Sequence, residues 1–141
     1  MLVGGAVRDI ILGRRTYDID IVVGGDVGRY AMGLAAELNG KIIHSSQLET
    51  VKVRSGDVNI DISMARKETY AHSGALPDLL PGTIEEDLAR RDLTINSMGV
   101  FLTKKNWGDL LDLHGGRSDL CEGVIRVHHD ASFYDDPTRI L

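Results

Sequence analysis

Apolar and polar residues follow two rhythms along this chain, and the rhythms separate strands from helices. Residues 17–23 alternate and then run apolar, as a half-buried to central strand does. Between Val27 and Leu38, Ala31, Leu34, Ala35 and Leu38 recur at helical spacing, which predicts an amphipathic helix stopped near Asn39-Gly40. Residues 41–44, 50–54 and 58–63 read as strands, and Ser55-Gly56-Asp57 as a hairpin turn joining the last two.

The flanking regions are less regular. Leu2-Val3 ends a strand, Gly4-Gly5 turns out of it, and residues 6–12 form a short helix with Val7, Ile10 and Ile11 inward, closed by Gly13. Residues 65–83 are polar, contain Pro77 and Pro81, and read as a long loop, of the kind that is functional or mobile. Thr83 ahead of Ile84-Glu85-Glu86 has the capping-box order, so a helix begins there and runs to about Arg91. Residues 95–102 and 110–113 are further strands, Gly115-Gly116 a turn, and 124–127 a brief strand. Asp135-Asp136-Pro137 begins a last helix, with Pro137 suited to its first turn. Hairpins outnumber β-α-β units, so the class is α+β.

Composition narrows this picture. A chain of 141 residues is one domain, and 43% hydrophobic with 26% charged residues is ordinary for a globular protein. No apolar run approaches the ~20 residues of a membrane span, and no secretory leader is evident. Cys121 is the single cysteine, which fits a reducing cytoplasm and is expected to be a small buried hydrophobe. The net charge of −5 argues against tight nucleic-acid binding by this domain alone, though not against a catalytic domain handed its RNA by a neighbour.

The candidate chemistry starts from Asp18 and Asp20. Residues two apart on a strand share a face, roughly 6.5–7 Å apart, and can reach a shared pair of Mg²⁺ ions. A short Asp-x-Asp is by itself more often a solvated strand face. Gly4-Gly5 lets backbone approach a phosphate at a helix start, and Arg8 can fork onto it; an ordinary tight turn with Arg8 paired to Asp9 is the bland reading. Asp61, between Ile60 and Ile62, joins Asp18 and Asp20 if its strand lies beside theirs, and is otherwise an edge-strand acid. Arg91, Asp92 and Asn96, with Arg90, can bind triphosphate and ribose, or can serve as a helix C-terminus and its cap. His128-His129 lack metal-ligand partners in the sequence and read as surface or structural.

Together, residues 2–9, Asp18-Ile19-Asp20, residues 90–96 and residues 136–141 resemble the head domain of the bacterial-type (class II) tRNA nucleotidyltransferase and poly(A) polymerase family, within the polymerase-β-like superfamily. The resemblance runs from Leu2 to Leu141. It implies a polymerase-β-like fold, a mixed or antiparallel sheet with helices packed on one side. It further implies that Asp18 and Asp20 hold Mg²⁺, with Asp61 the third acid. Gly4, Gly5 and Arg8 would contact the triphosphate; Arg91, Asp92 and Asn96 the nucleotide and its ribose. Asp136 and Arg139 would mark a head-to-neck junction, where Arg139 helps position the nucleotide, with residues 1–135 the head and 136–141 the start of a truncated neck helix.

The implied reaction is attack of an RNA 3′-hydroxyl on the α-phosphate of ATP or CTP, adding CMP or AMP to tRNA and releasing pyrophosphate. Base selection and most contact with tRNA would belong to neck, body and tail domains outside this chain. Leu93 stands where the family commonly has Phe, and Ser97 where Ala is common. Gly24-Gly25-Asp26 after the acid-bearing strand is similar to members that carry upstream domains, some adding only the terminal A. A poly(A) polymerase, a small-molecule nucleotidyltransferase and a non-catalytic nucleotide-binding module are the alternatives.

Overall fold

A computed structural model describes residues 1–45, 50–69, 72, 78–136 and 139. Seven strands form one twisted sheet: β1 (Leu2–Val3), β2 (Asp18–Val23), β3 (Lys41–Ser45), β4 (Thr50–Ser55), β5 (Val58–Met64), β8 (Met98–Val100) and β9 (Leu110–Asp112). Their order is β3-β4-β5-β2-β1-β8-β9, with β2 in the middle. All pairings are antiparallel except β2 with β5. That parallel pair requires a crossover, and α2 (Val27–Glu37) with β3 and β4 supplies it. The class is α+β, as the patterning predicts.

Alternation divides β2 between two environments. Ile19, Ile21 and Val23 join Ile60, Ile62, Val51 and Val53 beneath Val27, Ala31 and Leu34 of α2, the larger core. The aspartates between them face the other way. Asp26 caps α2, its carboxylate accepting from the Arg29 backbone N–H at 2.9 Å. The expectation of helices on one side holds for α2. Leu88 of α3 (Ile84–Ala89), however, packs with Val3 and Val22, which share the face of Asp20, so the second core lies at the end of the acid-bearing face. Thr83 and Glu86 form the expected capping box of α3.

Several segments depart from their sequence reading. The helix after the glycines is α1 (Gly5–Ile11); it buries Ala6 and Val7, whereas Ile10 and Ile11 are exposed, because only the first turn of so short a helix reaches the sheet. The expected loop at 65–83 contains a hairpin, β6 (Arg66–Thr69) with β7 (Asp78–Pro81). Pro81 ends its strand and so removes no interior ladder bond; Pro77 lies outside the described residues. The strand expected at 95–102 is shorter, because Thr94–Asn96 form a 3₁₀ turn ahead of β8.

Gly115, at φ 74°, caps a helix, α4 (Gly116–Glu122), where a turn is expected. A Cβ on Gly116 would collide with the Thr94 carbonyl oxygen, so glycine lets this helix start against the 3₁₀ turn. The strand expected at 124–127 reduces to one bridge, Leu93 with Val127. A helical turn, α5 (Ser132–Asp135), ends where a helix is expected to begin, and Pro137 lies outside the described residues. Cys121 is exposed, contrary to expectation, because its helix turns that side to solvent. Among the described residues no helix is long and apolar enough to cross a membrane.

Candidate active site

The parallel register of β2 and β5 sets the geometry of the acids. Asp20 stands directly beside Asp61, and Asp18 beside Asn59, all on the face away from α2. Lys52 is opposite Asp61 on β4 and pairs with it, Nζ to Oδ2 at 3.1 Å. The other oxygen, Asp61 Oδ1, is buried and has no hydrogen-bond partner among the described residues. Asn59 Nδ2 donates to Asp18 Oδ1 at 3.3 Å and is itself oriented by Arg54 Nε, at 3.0 Å from its Oδ1. The three acids are therefore brought to one surface.

Electrostatics record the crowding. The Asp20 carboxyl is raised above its ordinary value, first by desolvation, since protein is packed around the carboxylate although the side chain reaches solvent. Arg91 pulls against this, and Asp61 and Asp18 push with it. Two like charges side by side, with an unpartnered oxygen between strands, suit a hard cation that takes oxygen ligands. Among the described residues no three His, Cys, Asp or Glu side chains form a ready-made cage. An ion that completes its shell with water and substrate phosphates needs only one or two carboxylates, so the donor set fits.

Gly4 closes one side of this surface. It sits at φ 75° and ψ −146°, and a Cβ there would lie 2.8 Å from Arg91 Nη1 and 3.2 Å from Asp20 Oδ2. Both requirements point to glycine: the dihedrals are nearly closed to other residues, and any side chain would wedge guanidinium from carboxylate. Gly5 follows as the first residue of α1, its missing Cβ facing the Arg8 guanidinium. Arg8 donates from Nε to Asp9 Oδ1 at 2.9 Å and from Nη1 to Asn96 Oδ1 at 2.8 Å. Asn96 Nδ2 donates to both oxygens of Asp92 at 3.0 and 3.2 Å. Asp9, Arg8, Asn96 and Asp92 thus form one continuous chain along the rim. The bland pairing of Arg8 with Asp9 is present and coexists with convergence on Asn96.

Arg91 is held from behind by a residue the sequence reading passes over. Asp87, only 1% exposed, takes Arg90 Nη2 at 2.8 Å and Arg91 Nη2 at 3.1 Å. Glu68 of β6 takes the remaining branch of Arg90 at 2.9 Å. Helical spacing of three and four residues was the available signal. Lys52 was also legible: with Gly56-Asp57 as the hairpin turn, it falls opposite Asp61. Arg139 does not reach the acids. Its nearly buried guanidinium donates to the Arg90 carbonyl at 3.0 Å and lies 3.7 Å from Asp136 Oδ2.

The 3₁₀ turn that places Asn96 has its own supports. Thr94 Oγ1 donates to Asp119 Oδ2 at 2.6 Å, and Arg126 forks onto Asp119 from Nε and Nη2 at about 3.0 Å. These bonds hold the Asp119 carboxyl below its ordinary value, Arg126 contributing most. His128 is half-buried within this support, consistent with the structural reading of the pair His128-His129.

Residues 1–126 match the family described as Poly A polymerase head domain. The chain is 43% identical over 99% of its length to an A-adding tRNA nucleotidyltransferase of Halalkalibacterium halodurans, spanning 33% of that protein. It is 37% identical, again over 99%, to a CC-adding tRNA nucleotidyltransferase of Deinococcus radiodurans, spanning 38% of it. A solved CCA-adding enzyme, apo form II, superposes with a TM-score of 0.89 at 45% identity over 99% of this chain and 33% of that one. The chain thus spans about a third of the length of these relatives. The family match covers most of the chain, and the superposition agrees with it: the chain belongs to the Poly A polymerase head domain family.

Proposed function

We propose that this chain is the catalytic head of an RNA 3′-terminal nucleotidyltransferase, which adds CMP or AMP to the 3′ end of tRNA without a template. The observation that carries the reading is the side-by-side register of Asp20 and Asp61, with Asp18 on the same face. Asp18 and Asp20 would hold Mg²⁺, and bound Mg²⁺ supplies Lewis-acid stabilisation of the charge that develops on phosphate oxygens. Asp61 would be the third acid of this face and would help to activate the attacking 3′-hydroxyl. A bond forms between that oxygen and the α-phosphorus as the bond to the β-phosphate bridge breaks, and pyrophosphate leaves.

The remaining residues bind and orient. Gly4 and Gly5 offer close backbone approach, and Arg8 and Arg91 fork onto triphosphate oxygens. Asp92 and Asn96, already hydrogen-bonded to each other, present acceptors and a donor to the ribose hydroxyls. Arg139, which donates to the Arg90 carbonyl, would help position the nucleotide beside this group. Residues 1–135 form the head and 136–141 the start of a neck, with base choice and most of the grip on tRNA residing elsewhere in a longer protein of a reducing cytoplasm. The head serves A-adding and CC-adding relatives alike, so it does not fix the base.

Calorimetry with this chain tests the reading. ATP and CTP bind with similar affinity in Mg²⁺, and Asp18→Asn or Asp20→Asn removes the Mg²⁺-dependent part. Strong preference for one base, or metal-dependent binding that survives both substitutions, overturns it.

A further inference from the structure

Of the rim residues, Asp92 lies just ahead of the 3₁₀ turn and Asn96 is its last residue, and what fixes that turn is a side-chain bond behind it. Ser97, fully buried, ends the turn. Its hydroxyl donates to the Leu93 carbonyl at 2.8 Å, spanning the turn from one flank to the other. The same Oγ lies 2.6 Å from His128 Nε2. A hydroxyl has one proton, and Leu93 receives it. The short contact to His128 must therefore be filled by a proton on the imidazole Nε2, donated to Ser97 Oγ.

This assigns the neutral Nε2–H form. Burial, with His114, Arg139 and His129 nearby outweighing Asp92, pushes the His128 imidazole down to about 4, so the ring is uncharged at neutral pH. His114 packs edge-on against it, ring centres 4.5 Å apart, and fixes the ring plane. The backbone alongside is tied as well, since Thr94 N–H donates to the Arg126 carbonyl at 2.9 Å and Leu93 bridges to Val127.

We propose that His128, acting through Ser97, is a positioning residue for the turn that presents Asp92 and Asn96, and thereby sets discrimination between ribose and deoxyribose nucleotides. The inference rests on the proposed ribose-binding role of Asp92 and Asn96. Without the bond, Ser97 still reaches Leu93 but the turn is no longer held from the 126–128 segment at its C-terminal end. Asn96 then loses the register that lets it meet Arg8 and Asp92 at once.

The test compares affinities of this chain for Mg²⁺–ATP and Mg²⁺–2′-deoxy-ATP by calorimetry, with thermal melts of every variant. Ser97→Ala and His128→Leu each narrow the ATP/deoxy-ATP ratio about fivefold, the worth of one hydrogen bond. His128→Gln, whose amide nitrogen can still donate to Ser97, keeps the ratio. The double variant Ser97→Ala/His128→Leu recovers thermal stability, since no buried polar group is left alone, while its ratio stays narrow.

A lower Tm with an intact ratio in His128→Leu overturns the inference, because the bond then serves the fold alone. A double variant with a restored ratio does so too, since packing would then suffice. Asp92→Ala separates the two levels. An unchanged ratio there removes the ribose reading and this inference together. A collapsed ratio there, with intact ratios in Ser97→Ala and His128→Leu, removes only the inference.

Discussion

Asp20 and Asp119 are the same residue in the same domain, and their surroundings treat them in opposite ways. Asp119 has a guanidinium fork and a hydroxyl directed at it, and its carboxyl is held below the ordinary range. Asp20 has two other acids on its strand face, and its carboxyl is raised by desolvation and by those neighbours against the pull of Arg91. The charged form of Asp119 stabilises the fold above the ordinary carboxylate range, and that contribution is lost as pH falls through its lowered value. The charged form of Asp20 weakens the fold as pH rises from the ordinary value through the raised one. Asp87 also has guanidinium groups directed at it, from Arg90 and Arg91. Asp119 and Asp87 come with cations directed at them, while Asp20 shares its face with two other acids, and Arg91 and Lys52 do not outweigh its desolvation.

The contrast is most exposed to Asp20→Asn. Nucleotide addition, assayed in a protein containing this head, falls by about 10³-fold with the loss of several kcal/mol of charge stabilisation. Thermal melts at pH 7 show a higher Tm than wild type, a gain that shrinks toward pH 3. A lower Tm at pH 7 would show that Asp20 is structurally satisfied after all. Mg²⁺ raises the Tm of wild type and not of this variant.

Asp87→Ala tests the other side. It strands Arg91 behind the site and leaves Arg90 with Glu68, and urea unfolding should register a loss of about 3–5 kcal/mol, the cost of breaking a buried ion pair from one side. A loss within the ~0–1 kcal/mol of exposed pairs would erase the distinction. Gly4→Ala falls between the two regions, because its methyl enters between Arg91 and Asp20. Backbone strain costs about 1–3 kcal/mol, and triphosphate binding weakens along with it. The smallest effect is a control away from both acid groups. Thr83→Ala breaks the capping box of α3 and lowers stability by about 1 kcal/mol, with nucleotide affinity unchanged.

Much of the fold is legible along the chain because its signals are local. The alternation in β2, the helical spacing in α2, the Gly56-Asp57 hairpin and the Thr83–Glu86 cap each depend on residues a few positions apart. The readings that fail lie where long-range packing overrides local pattern. Residues 65–83 look like a loop because β6 and β7 pair with each other in a two-stranded sheet apart from the main one, with Pro81 at a strand end. Ile95 and Asn96 look like strand until Thr94 is drawn to Asp119 across 25 positions and the backbone closes into a 3₁₀ turn. Ile10 and Ile11 have a helical apolar rhythm, yet the sheet reaches only the first turn of their helix.

The candidate site divides along the same line. From the sequence alone come the alternation that sets Asp18 and Asp20 on one face, the glycines that turn the chain beside them, and the residue types able to hold phosphate and metal. Those are properties of strand period and side-chain chemistry, carried by neighbours in the chain. Only the tertiary structure places Asp61 next to Asp20, because a parallel pairing depends on which strand the crossover brings alongside. It alone sets Ser97 against His128. Side-chain partners separated by tens of residues are chosen by packing, and no local period encodes them.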